Sequence, residues 1–115
     1  MTIEDFQTIC KTLKGVTEDI KWEHDLCFCV GEKMFLVTAP DEFPLTASFK
    51  VHEEDFEDYC GKEGFIPAPY LARYKWVFVD DINRLTYKQW EKAIADSYKL
   101  VSEKLPSKVK KQLGL

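Results

Sequence analysis

The run LCFCVGEKMFLV, residues 26–37, constrains this chain more than any other stretch. Strand-forming segments flank Gly31-Glu32, and a Gly-X pair in that setting predicts a two-residue type II′ hairpin. Such a turn sets the register, with Val30 opposite Lys33, Cys29 opposite Met34, Phe28 opposite Phe35, Cys27 opposite Leu36 and Leu26 opposite Val37. Successive side chains alternate between the faces of a strand. One face therefore carries Leu26, Phe28, Phe35 and Val37, and the other Cys27, Cys29, Met34 and Leu36. Both are apolar, which suits a hairpin covered on both sides or placed inside a larger sheet.

Cys27 and Cys29, with His24 just upstream, raise the question of a metal or redox site. Side chains two apart on a strand are separated by ~6.6 Å, well beyond the ~3.8 Å between the Cβ atoms of a disulfide. On a regular strand His24 points to the opposite face. Two thiolates do not complete a zinc sphere, and the sequence has no second C-x-x-C or H-x₃-H. The pair reads as packed strand. His52 in HEED, beside Glu53, Glu54 and Asp55, reads as an acidic helix start that complements the helix dipole. No nucleophile–base pair, P-loop or G-x-G-x-x-G turn is visible. No catalytic residue, metal or cofactor is expected, and the protein is read as non-enzymatic.

The rest of the chain supplies helices and further strands. TIEDFQTICKTLKG places Thr2 to cap a helix, with Ile3, Phe6, Ile9, Cys10 and Leu13 at helical spacing and Gly15 at its end. FPLTASFKV alternates Leu45, Ala47, Phe49 and Val51 against Thr46, Ser48 and Lys50, a strand with one wet face. HEEDFEDYCGKEG predicts a short acidic helix burying Phe56, Tyr59 and Cys60, closed near Gly61 or Gly64. FIPAPY reads as a loop, because its two prolines forbid a regular helix. RYKWVFVD predicts a strand with Arg73, Lys75, Val77 and Val79 on one face and Tyr74, Trp76 and Phe78 on the other. In the last helix Thr86 and Gln89 form a capping-box pair, and Trp90, Ile94, Val101 and Leu105 with Tyr87 and Tyr98 make an apolar stripe. Pro106 stops that helix, and SKVKKQLGL is a basic tail or a last helical turn.

The fold class is therefore α+β: a two-layer, antiparallel sheet with helices packed on it, in the order helix, three strands, helix, at least one strand, helix. A chain of 115 residues, 45% hydrophobic and 14% aromatic, fits one globular domain over residues 1–115. No apolar run approaches the ~18 residues of a membrane span, and MTIEDFQ lacks the regions of a signal peptide. A cytoplasmic location with reduced cysteines and no membrane partner is the resulting expectation. Charge is uneven: residues 1–60 hold five Lys+Arg against fourteen Asp+Glu, a balance of −9, and residues 61–115 hold eleven against six, a balance of +5. Basic and aromatic residues interleave in ARYKWVF, which reads either as core aromatics beside solvated charges, the reading that a pI near 5.2 favours, or as a sheet rim whose cations could meet phosphates and whose exposed ring could stack on a base.

Taken in order, these landmarks resemble the MmcQ/YjbR family of small bacterial proteins. The resemblance is carried by CKTLKGVTEDIKW, LCFCVGEKMFLV, PLTASFK, GFIPAPYLARYKWVFV and SYKLVSEKLP, which together span most of the chain. The family's usual Pro-Gly is replaced here by Lys14-Gly15. The resemblance implies an α+β fold comparable with CyaY-like or secretion-chaperone-like domains, and DNA binding through a double-wing motif. Carried to this chain, the wings are the turn at Gly31 to Lys33 and the segment Pro69 to Trp76, with Lys33, Tyr70, Arg73, Lys75 and Trp76 as DNA-contacting residues. Such an interface requires Lys33, Lys50, Arg73 and Lys75 to share a face with Lys104, Lys108, Lys110 and Lys111. The alternative is a protein- or small-ligand-binding domain that uses the aromatic Pro-Tyr loop and sheet face. It requires an apolar patch near Tyr70, Tyr74 and Trp76 without a basic rim.

Overall fold

In the computed structural model, which describes residues 1–115, the Thr2 hydroxyl accepts from the Asp5 amide while the Asp5 carboxylate accepts from the Thr2 amide. This reciprocal cap starts α1 (Ile3–Lys11), which buries Phe6, Ile9 and Cys10. The chain then reverses at Gly15, whose φ of +76° is open to glycine at little cost. Six strands follow: β1 (Val16–Lys21), β2 (Asp25–Val30), β3 (Lys33–Ala39), β4 (Thr46–Lys50), β5 (Phe65–Pro67) and β6 (Trp76–Val79). They form one sheet in the order β1-β2-β3-β4-β6-β5, with every neighbouring pair antiparallel. A 3₁₀ turn (Glu53–Asp55) leads into α2 (Phe56–Cys60), and α3 (Tyr87–Ser102) and α4 (Ser107–Leu113) close the chain.

The α+β class and the helix–strand–helix–strand–helix order are as expected, with an added strand at each edge of the sheet. β1 is mostly exposed and polar, so it carries no alternation that marks a strand. β5 occupies part of the loop expected at FIPAPY. It is an edge strand of three residues ending at Pro67, a position where proline's missing N–H is tolerated.

The hairpin lies where the sequence puts it, with two corrections. Gly31 and Glu32 both have positive φ, 55° and 67°, the pattern of a type I′ turn rather than II′. The register holds for Val30–Lys33 and Cys29–Met34 and then slips at a bulge, so that Phe28 faces Leu36, Cys27 faces Val37 and Leu26 faces Thr38. Phe35 is the extra residue. Its ring meets Tyr98 of α3 edge-on, and its carbonyl accepts the Ser97 hydroxyl at 2.5 Å. A bulge re-aims side chains locally, and here it brings Leu36 onto the helix-covered face and leaves Val37 on the other.

All four helices contribute to a core on the face that carries Phe28, Val30, Leu36, Phe49 and Val77. Trp90 is fully buried near its centre, edge-on to Phe6 and Phe49 at 4.9 and 5.2 Å, and its indole N–H donates to the Ile82 carbonyl at 2.7 Å. α3 starts at the expected Thr86–Gln89 capping box. Tyr87, expected in its apolar stripe, is instead exposed. The opposite, outer face of the sheet carries Cys27, Cys29, Met34, Val37, Ser48 and Phe78 by register.

Candidate functional site

Lys33 opens β3 immediately after the Gly31 turn. A Cβ on Gly31 would lie 2.8 Å from Leu105 and 3.0 Å from Val109, so the α3–α4 corner is seated on this turn. That packing brings Lys104 and the lysines of α4 to the same end of the sheet. β4 finishes here too, since Lys50 pairs with Trp76, the first residue of β6, and the Val51 amide donates to the Lys75 carbonyl. Lys50, Arg73, Lys75 and Lys104 line one cleft of about 360 Å³, with Glu53 as its only acidic residue. None of the four takes part in an ion pair; those of the protein are His24–Asp41, Arg84–Asp80, Lys92–Asp96 and Lys99–Glu103.

Local contacts hold these cations in place. Lys50 donates from Nζ to the Tyr74 carbonyl, and the Arg73 guanidinium lies 4.7 Å from the Tyr74 ring centre. Lys75 Nζ sits 4.9 Å from the ring centre of Phe56. Burial lowers the Lys50 pKa, and the neighbouring positive charge of Lys104 lowers it further. Two like charges this close favour an anion between them.

The opposite end of the sheet is acidic. The β1–β2 turn, the exit of β3 and the exit of β6 bring Glu23, Asp41, Glu42, Asp80 and Asp81 there, with Arg84 tied to Asp80 at 2.6 Å. Carboxylates also follow β4 at the cation-bearing end: Glu53 and Glu54 lie just beyond Lys50, which borders a further cleft with Asp55, Asp58 and Asp96.

The expected DNA-contacting residues divide into three groups. Arg73 and Lys75 line the same cleft as Lys50 and Lys104, and Lys33 opens β3 at that end of the sheet without lining it. Arg73 and Lys75 are not on a strand as expected: Ala72–Tyr74 form a 3₁₀ turn, and Lys75 has φ +63°, which delays β6 until Trp76. Trp76 is only 6% exposed, so its ring is not offered for stacking. Tyr70 is fully exposed but lines a different cleft.

That second cleft, about 600 Å³, runs over the outer face of the sheet. Met34 and Val37 form its floor, and Trp22, Pro69, Tyr70 and Leu71 its walls, with Asp25 and Ser48 as polar residues and no lysine or arginine. Trp22 and Tyr70 have φ of +52° and +66°, a left-handed conformation uncommon for bulky residues. Local strain of this kind concentrates where side chains must be presented for function. Sequence reasoning included Tyr70 but missed Trp22, Asp25, Met34 and Val37. A tryptophan inside a short turn between strands was the available signal for the first.

Cys27 and Cys29 line neither cleft but lie beside the floor of the second. Cys27 sits between Asp19 and Val37, and Cys29 between Thr17 and Met34. Burial, and then the neighbouring Cys29, pushes the Cys27 thiol up to about 11, and burial pushes Cys10 to about 12. His24 lies in the β1–β2 turn rather than on a strand, with Nδ1 3.2 Å from Asp41 Oδ2.

A family model described as YjbR matches residues 11–100. Among solved structures, the chain is similar to a Deinococcus radiodurans protein with domain DUF419, at TM-score 0.88 and 26% identity over 99% of this chain and 88% of that one. It also shares its fold with a structural-genomics target from Pseudomonas syringae, at TM-score 0.70 and 22% identity over 87% and 98% of the two chains. No curated protein matches the chain.

Proposed function

The chain belongs to the YjbR family, and on that premise we propose that it is a non-enzymatic cytoplasmic module that binds DNA through the basic end of its sheet. The observation that carries this reading is the convergence of Lys50, the Arg73–Lys75 turn and Lys104, three segments remote in sequence, around one cleft without ion-pair partners. Phosphate contacts dominate the affinity of proteins for DNA, and unpaired cations supply them. Lys33 and the α4 lysines extend the same end of the molecule. Of the two wings implied by the family, the 3₁₀ turn supplies Arg73 and Lys75. The Gly31 turn, held under Leu105 and Val109, presents Lys33 from a fixed position. The non-enzymatic part of this reading is in keeping with the Cys10 and Cys27 thiols, which burial keeps protonated.

The test is titration of a labelled random-sequence duplex with the protein and with an Arg73→Ala/Lys75→Ala variant. The variant is expected to bind more weakly and to lower the log–log salt slope by about 2, one for each phosphate that its side chains no longer neutralise. Lys88→Ala, on the first turn of α3, is expected to leave binding unchanged. Equal weakening in both variants contradicts the assignment.

A second reading, binding of a small ligand or protein by the Pro-Tyr loop and sheet face, is favoured by the outer-face groove, which is apolar and has no basic rim.

A further inference from the structure

The outer-face groove has a charge character opposite to that of the basic end. Asp25 is its only charged residue, and an adjoining cleft that shares Asp25, Val37 and Ser48 adds Glu42 and the ring of Phe78. Neither cleft is lined by a cation. Lys21, the cross-strand neighbour of Asp25, makes no ion pair with it. A carboxylate beside an apolar floor repels anions, and a neutral occupant would strip its water without offering anything in exchange. A cation does offer it, and the faces of exposed tryptophan and tyrosine rings attract cations as well. Trp22 is 65% exposed and Tyr70 fully exposed, so both rings are free to meet an occupant. The volume of about 600 Å³ lies within the ~300–1,000 Å³ typical of small-molecule sites.

We propose that this groove binds a small organic cation, an ammonium group on an aromatic or short alkyl body, with the charge at Asp25 and the body between Trp22 and Tyr70. The proposal rests on the second reading above, ligand binding in the groove. The two fail differently in one experiment: amide and indole NMR of the full chain titrated with benzyltrimethylammonium, with its uncharged isostere neopentylbenzene, and with benzenesulfonate. Saturable shifts of the Trp22 indole, Asp25, Val37 and Tyr70 are expected with the cation, and about tenfold weaker binding with the isostere. Asp25→Asn should reduce that preference to the part the two rings supply, and Trp22→Ala should weaken the cation about fivefold while the remaining spectrum stays native. Equal binding of cation and isostere overturns the cation proposal and leaves the groove as a ligand site. No shift with any of the three overturns both.

Discussion

Ser97 is fully buried midway along α3, where its hydroxyl donates to the Phe35 carbonyl at 2.5 Å and accepts from the Lys50 amide at 3.0 Å. One side chain thus ties the bulge in β3 and the end of β4 to the helix layer. Removing it takes a partner from two backbone groups, and a buried group left unsatisfied costs ~1–3 kcal/mol. Ser97→Ala is expected to lower unfolding free energy by that amount in urea titrations; a change below ~0.5 kcal/mol would contradict the role. The cysteines give a second prediction at this scale. Thiols with folded pKa values raised by burial favour the fold only while protonated. Their contribution is complete below about pH 9 and is lost as pH rises through about 11 for Cys27 and about 12 for Cys10. Stability measured by denaturant should fall in that alkaline window, and a variant with Cys10 and Cys27 changed to Ala should fall less. Neither the bulge nor the role of Ser97 was legible in sequence, because both depend on which helix crosses which strand.

Elements with strong local signals were the legible ones. Thr86 and Gln89 start α3 as expected, and the alternation of Leu45 to Val51 gives β4 its core face, with Ala47 and Phe49 buried. Thr86→Ala should destabilise the protein by about 1 kcal/mol, read from thermal or urea unfolding, with Thr86→Ser close to wild type. The edges were illegible for a physical reason. A strand with one paired neighbour and a wet surface needs no apolar alternation, so VTEDIK reads as a polar link and FIP as a loop. The segment Arg73 to Lys75 misled in the opposite direction. Its β-rich composition belongs to Trp76–Val79, and the positive φ of Lys75 ends the resemblance to a strand one residue earlier.

At the scale of the molecule, strand order gathers cations from both halves of the chain around one cleft at one end of the sheet, although Glu53 and Glu54 follow β4 at that same end. The charge imbalance along the chain was legible from the sequence, but this placement was not. Lys50 lies in the acidic half of the chain and reaches the basic end only because β4 pairs with β6. The same pairing places Trp76 below the surface and leaves Tyr70 on another cleft. The central claim, a phosphate-binding end on an acidic protein, is tested most directly by fluorescence anisotropy of a labelled random-sequence duplex at about 50 and about 200 mM salt. With three to four phosphate contacts, binding in the micromolar range at low salt should weaken roughly 40- to 150-fold at the higher salt. No binding at low salt, or binding that is indifferent to salt, would contradict the account.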